Sequence, residues 1–159
     1  MIHYRMHESP LGALLLAASD AGLCGLYFEE HRHFRGAQGW REGAHPHLER
    51  AAMQLDAYFN GSLRRFDLPL DLHGTPFQQA VWRQLSAVDY GDTASYLSHA
   101  CAIGAERAVR AVGSAIGRNP LSIIVPCHRI VASDGKLTGY AGGLARKRYL
   151  LALEAAGKA

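Results

Sequence analysis

The sequence predicts an α+β protein in two parts. A small N-terminal α/β domain with an antiparallel sheet is expected over residues 1–74, and a mostly helical C-terminal domain containing a helix-turn-helix over residues 75–159. Three observations carry this reading. Apolar and polar residues alternate at the start of the chain, whereas after residue 75 the apolar residues recur at helical spacing. A length of 159 with 48% hydrophobic residues is enough for one ordinary core or two small ones. Charge is also divided by position: residues 1–75 carry 7 Lys+Arg against 9 Asp+Glu, net −2, and residues 76–159 carry 10 against 5, net +5.

Several classes drop out at once. No apolar run approaches the roughly 18 residues that a membrane helix needs. The first ten residues hold two His, an Arg and a Glu where a secretory leader needs an apolar stretch, so the expectation is a cytoplasmic protein. Three cysteines, Cys24, Cys101 and Cys127, are too few and too odd in number for a disulfide framework.

Taken in order, Ile2, Tyr4 and Met6 alternate with His3, Arg5 and His7 as a first strand. Residues 13–18 and 23–28 flank a Ser19-Asp20-Ala21-Gly22 turn and form a hairpin. Residues 31–44 are polar and aperiodic, a loop. Pro46 opens a helix whose Leu48, Ala51, Ala52, Leu55 and Phe59 share a face, with Gly61 as its stop. Phe66, Leu68 and Leu70 alternate as a last strand, and residues 71–75 change character as a boundary.

Beyond it, Thr75 and Gln78 make a capping box with Pro76 at the first helical position, and Phe77, Val81, Leu85 and Val88 form a face that runs to Tyr90-Gly91. Ser95 caps a short helix that ends before Gly104, and another helix runs from Ala105 to about Gly117 with Ala108, Val112, Ala115 and Ile116 inward. That pair reads as a helix-turn-helix. On its second helix Arg107, Arg110 and Ser114 fall at i, i+3 and i+7, and Ala111 and Gly113 keep the surface low enough for a DNA backbone to approach. A solvated face with ordinary arginines is the alternative, just as a solvated basic surface is the alternative to a polyanion partner for the whole second half.

Residues 121–125 form a short apolar, strand-like run into Pro126-Cys127-His128-Arg129. A thiol after a rigid proline, beside an imidazole and a guanidinium, has what is needed to react as a thiolate at neutral pH. Cys24 and Cys101 read as buried small hydrophobes. On the residues alone two functions remain open: a DNA-binding regulator with Cys127 as redox sensor, and a cysteine hydrolase using Cys127 and His128 on a small-molecule ester.

Pro126-Cys127-His128-Arg129 resembles the active-site signature of the 6-O-alkylguanine-DNA alkyltransferases, also called methylated-DNA-protein-cysteine methyltransferases. The likeness extends through Arg110-Ala111-Val112-Gly113, Asn119-Pro120, Gly139-Tyr140-Ala141-Gly142-Gly143-Leu144, Tyr96 and Glu154, with Phe77-Gln78 and Val81-Trp82 at the start of the same domain. It is strong over residues 75–157 and weaker in Ser9-Pro10-Leu11-Gly12 and Gly22-Leu23-Cys24-Gly25-Leu26.

The resemblance implies a ribonuclease-H-like N-terminal domain and direct reversal of DNA damage. The alkyl group of 6-O-alkylguanine, and by extension 4-O-alkylthymine, passes to Cys127 once per protein molecule, because nothing in the chain could hydrolyse the thioether. It implies base flipping from the minor groove of double-stranded DNA, with Arg110 inserted in the stack and Tyr96 pressing on the neighbouring phosphate. Glu154 would orient His128, His128 would withdraw the Cys127 proton through a water, Asn119 would brace the turn, and Tyr140 would donate to the base. Arg129 would buttress the site, and Gly142 and Gly143 would let the backbone close over it.

No cofactor is expected, since DNA is the alkyl donor. Ala141 stands where some relatives have Ser, so a hydroxyl contact there is not carried over. The pairs His31/His33 and His45/His47 are spaced as metal ligands could be but have no acidic or Cys partner nearby in sequence, so no metal is expected. A monomer is expected, with cooperativity on DNA left open, and the compact length suits a stand-alone bacterial form.

Overall fold

A computed structural model describes residues 1–158. The chain divides into two compact units, Met1–His73 and a second beginning at Gly74. Among the described residues no helix is long and apolar enough to cross a membrane.

In the first unit, β1 (His3–Ser9), β2 (Gly12–Ala18) and β3 (Leu23–Phe28) form an antiparallel meander, with β4 (Arg41–Glu42) parallel to β1 in the order β3-β2-β1-β4. The helix α1 (Pro46–Phe59) lies against β1 to β3 and buries Leu48, Ala51, Ala52, Leu55 and Tyr58. Tyr58 is thus a core residue of α1 that the spacing missed. The expected loop contains a short strand because the edge of β1 offers backbone partners: Arg41 N–H donates to Ile2 O at 2.8 Å and Gly43 N–H to Tyr4 O at 3.1 Å.

The expected strand at Phe66, Leu68 and Leu70 is a correction. Only one bridge forms, Leu23 to Leu70, in a stretch where Pro69 has no N–H to continue a ladder. Pro69 O does accept from Leu23 N–H at 2.8 Å, and it approaches so closely that a Cβ on Gly22 would sit 2.6 Å from it. Gly22 therefore lets this segment dock against β3.

The second unit begins with α2 (Pro76–Leu85), whose capping box joins Thr75 and Gln78 in both directions. It stops at Leu85, earlier than the apolar spacing implied, so Val88 lies beyond it; Phe77, in its first turn, is exposed and not on the buried face. Val81, Trp82 and Leu85 make its buried side, and the Trp82 indole N–H donates to Ala115 O at 2.8 Å. Next come β5 (Ala94–Ser95), α3 (Tyr96–Ala102) and α4 (Val109–Gly117), with Ser95 capping α3 and Gly104 at φ +70° in the turn. The segment expected to be helical from Ala105 is instead a separate 3₁₀ turn, Glu106–Ala108, before α4. β6 (Ile130–Val131) pairs in parallel with β5, and α5 (Leu144–Lys158) closes the unit.

Candidate active site

Cys127 is presented by a run of tight turns, not by the expected strand at residues 121–125. Ile124 N–H donates to Ser122 O at 2.8 Å around Ile123, whose φ is +72°. Together these define a γ-turn of the strained hand on a β-branched residue. Cys127 N–H donates to Val125 O at 2.8 Å around Pro126, the relaxed inverse form that the proline ring favours. Asn119 holds both turns: its Nδ2 donates to Val125 O at 2.8 Å and its Oδ1 accepts from Leu121 N–H at 3.0 Å. Such strain persists only where the surroundings over-determine it, and it marks a place where side-chain direction matters.

Cys127, His128 and Arg129 form a single 3₁₀ turn, all buried. This turn meets α5 through Glu154. One carboxylate oxygen of Glu154 is 2.7 Å from His128 Nε2; Arg129 donates to both oxygens, Nε at 2.8 Å and Nη2 at 3.0 Å, and its Nη1 donates to Val88 O at 2.8 Å. Burial pushes His128 down, so the ring is neutral, and a carboxylate partner requires the proton to sit on Nε2. Nδ1 is then a lone-pair acceptor, and it is buried without a hydrogen-bond partner among the described residues.

Burial also pushes the Cys127 thiol up, against the opposing pull of Asn119 and the Lys147 charge. Burial thus favours the protonated sulfur, and the thiolate that reacts needs a group to take its proton, the part expected of His128. Tyr140 is buried beside Cys127 and is pushed well above its usual range by desolvation first and the thiol second, so it is a donor and not an anion. Ser122 is buried near both Cys127 and Tyr140. Gly142 is buried, and Gly143, at φ +91°, starts α5: its O accepts Lys147 N–H at 3.2 Å.

The other cysteines differ from expectation. Cys101 is exposed on α3, not buried, and Cys24 is half-buried, its thiol raised to about 11 chiefly by desolvation. Arg110, Ala111 and Ser114 are exposed on α4, and exposed Arg107 lies in the preceding 3₁₀ turn. Gly113 does not simply lower that face: Tyr96 covers it, with ring atoms 3.7 Å from where a Cβ would be. The Tyr96 hydroxyl donates to Thr138 O at 3.1 Å.

His45 and His31 have local roles. His45 Nδ1 caps α1 by accepting His47 N–H at 3.2 Å, and His31 Nδ1 accepts Phe28 N–H at 3.1 Å. Among the described residues no group of three or more His, Cys, Asp or Glu could hold a metal ion.

Two buried residues that act on Cys127 escaped sequence reasoning, Ser122 and Lys147. Lys147 had a readable signal. Lys147, Leu150 and Glu154 fall at i, i+3 and i+7, one buried stripe of α5, so a lysine shares the face of the glutamate that meets the cysteine turn.

Comparison with known proteins covers the whole architecture. The family model described as the 6-O-methylguanine DNA methyltransferase DNA binding domain matches residues 76–156, and that of the family's ribonuclease-like domain matches residues 2–72. A methylated-DNA–protein-cysteine methyltransferase of Mycobacterium bovis is 50% identical over 156 residues, covering 97% of this chain and 93% of its own length. One from Methanosarcina barkeri is 47% identical over 154 residues, covering 96% and 97%. The crystal structure of the Mycobacterium tuberculosis OGT in complex with DNA superposes with a TM-score of 0.91 at 48% identity, covering 98% of this chain and 94% of that one.

Proposed function

The chain belongs to the 6-O-methylguanine DNA methyltransferase family, and from that premise we propose that Cys127 is the residue that takes the alkyl group. The protein is a DNA-binding repair enzyme that reverses damage by moving an alkyl group from DNA to one of its own cysteines. The observation that carries Cys127 is the neutral His128 ring beside it, whose Nε2 is held by Glu154 at 2.7 Å and whose Nδ1 is an unengaged buried acceptor.

The chemistry follows from that arrangement. When a flipped 6-O-alkylguanine enters, the Cys127 proton passes to His128 Nδ1 by way of a bridging water, and Glu154 stabilises the imidazolium that results. The sulfur displaces the alkyl carbon, the carbon–oxygen bond breaks, Tyr140 gives its proton to the departing base so that guanine leaves neutral, and the proton held by His128 returns to Tyr140 by way of water. Asn119 keeps the sulfur aimed, and Arg129 holds Glu154 in place. The product is a thioether, so each molecule acts once; a 4-O-alkylthymine of similar shape would react by the same displacement.

On the DNA side, exposed Arg110 enters the stack from the minor groove in place of the flipped base, with Arg107, Ala111 and Ser114 along the same surface. Tyr96 presses the phosphate beside that base, a role supported by its position over Gly113 and its hydroxyl's bond to Thr138 O. The protein works as a monomer in the cytoplasm, with DNA as donor and no cofactor.

The test is stoichiometric. Incubation with a duplex carrying one 6-O-methylguanine adds one methyl per molecule to the intact mass of the wild type and none to Cys127→Ser, which still binds the duplex. Continued turnover, or methyl gain by Cys127→Ser, contradicts the proposal.

A further inference from the structure

Ser122 is fully buried, and its Oγ has no hydrogen-bond partner among the described residues. A buried hydroxyl left unsatisfied is unfavourable, and an alanine would fill nearly the same space without that cost. An orphan of this kind calls for a reason in what changes around it.

The surroundings supply one. Ser122 opens the strained γ-turn: its carbonyl accepts Ile124 N–H at 2.8 Å around Ile123 at φ +72°, and just before it Asn119 Oδ1 accepts Leu121 N–H at 3.0 Å. Backbone on both sides of Ser122 is therefore held, and the side chain is held with it beside Cys127 and Tyr140. Burial pushes the thiol and the phenol up, and the Ser122 hydroxyl pulls both the other way, which is the action of a donor toward an anion. Asn119 and Lys147 also favour the sulfur anion, but their donors are already engaged. Asn119 Nδ2 donates to Val125 O, and Lys147 Nζ to the carbonyls of Ile130, Thr138 and Gly139. The Arg129 guanidinium is spent on Glu154 and Val88 O, and His128 Nδ1 can only accept. The Ser122 hydroxyl is thus a donor beside the nucleophile that holds nothing at rest.

We propose that Ser122 is a further catalytic residue: its hydroxyl, unpartnered at rest, donates a hydrogen bond to the Cys127 sulfur as the thiolate forms. The inference rests on the reading of Cys127 as the alkyl acceptor. A donor already aimed at the place where charge develops lowers a barrier because nothing has to reorganise when the charge appears. The step balances with the groups present. The thiol proton passes to His128 by way of water, and Ser122 keeps its own proton and turns it toward the sulfur. The sulfur–carbon bond replaces the carbon–oxygen bond, and Tyr140 gives its proton to guanine and regains one from His128.

The chain has three cysteines, so ¹³Cβ-cysteine spectra follow Cys24, Cys101 and Cys127 separately. Titrating wild type and Ser122→Ala, we expect the Cys127 midpoint to rise by about half a pH unit in the variant, a threefold change in the ionisation constant, with Cys101 unmoved. The charged and titratable groups that face this part of the site are the same in both proteins: His128 and Arg129 in the cysteine turn, Tyr140, and Arg146, Lys147 and Glu154 on α5. Coincident Cys127 midpoints overturn the proposal. A second arm measures transfer from free 6-O-alkylguanine against pH. Ser122→Ala should be about threefold slower at pH 7, with the difference closing as pH rises through the thiol midpoint. Equal slowing at every pH marks a merely structural serine and overturns the proposal. In urea unfolding the variant should be as stable as wild type or more so, since it loses an unpartnered hydroxyl. A clear loss of stability would show that the hydroxyl is bonded at rest, against the proposal. Ser122→Gly, which also lacks the hydroxyl, takes the place of Ser122→Ala in the titration and transfer arms should the latter not fold. If wild type transfers nothing to Cys127, the functional reading fails, and the cysteine titration still decides whether the hydroxyl holds the sulfur.

Discussion

The two units treat charge in opposite ways. In the first, the ion pairs Arg5–Glu49 and Arg50–Asp67 lie at the surface, as does the His7–Asp56 contact, and the buried residues Leu14, Leu16, Leu26, Leu48, Leu55 and Tyr58 are a conventional core. In the second, His99, Asn119, Ser122, His128, Arg129, Lys147 and Glu154 are all buried. Every buried polar side chain among the described residues is therefore in the second unit. Burying such groups is unfavourable unless each is paired; His99 is held by Val81 O, and the gathering of the others around Cys127 identifies where the molecule gives up stability for chemistry. The first unit shows what this chain does when no reaction is at stake.

Breaking that contrast should be most visible at Glu154. Glu154→Gln removes the partner of a buried guanidinium and weakens the hold on His128, and we expect a loss of about 3–5 kcal/mol in urea unfolding. Alkyl transfer should fall as well. A loss under about 1 kcal/mol would mean that Arg129 finds water and that the cluster is not sealed.

An exposed charge should behave differently. Arg110→Ala removes a side chain from the surface of α4 and should leave stability within about 0.5 kcal/mol. Transfer from duplex DNA should nevertheless slow by about a hundredfold, in line with a few kcal/mol for flipping a base, while transfer from free 6-O-alkylguanine is unchanged. Equal slowing with both substrates would remove Arg110 from the flipping step. Smallest of all is the first unit's surface pair. Glu49→Gln, opposite Arg5, should shift stability by about 0–1 kcal/mol and leave transfer untouched.

Much of this contrast is legible in the sequence, and the reasons it is only partly so are physical. Local signals read well: the Thr75–Gln78 capping box, the Ser95 cap, the alternation in β1 and the helical face of α1 depend on neighbours a few residues apart. Signals that depend on distant partners read poorly. The apolar run at residues 121–125 has strand composition, but Asn119 ties it into turns and Ile123 adopts a left-handed backbone. Leu70 has strand spacing, but Pro69 withholds the N–H that a ladder requires. Cys101 has apolar neighbours in sequence and still faces solvent on α3.

The site divides in the same way. Cys127, His128 and Arg129 are adjacent in sequence, and the family resemblance supplied Glu154, Asn119 and Tyr140. Lys147 looked like one more basic residue in Arg146-Lys147-Arg148 because nothing local says that its amine ends on the carbonyls of Ile130 and Thr138. The electrostatics of the sulfur are not local either: the ring beside it is neutral, the guanidinium is spent on Glu154, and desolvation pushes the thiol up.

The most direct test sets exposure against environment within one molecule, since Cys101 faces solvent and Cys127 is buried. After one equivalent of duplex containing 6-O-methylguanine, peptide mapping by tandem mass spectrometry should place the new methyl on the peptide that holds Cys127, with Cys24 and Cys101 unmodified. A methyl on Cys101, or one spread among the three thiols according to their accessibility, would contradict the account.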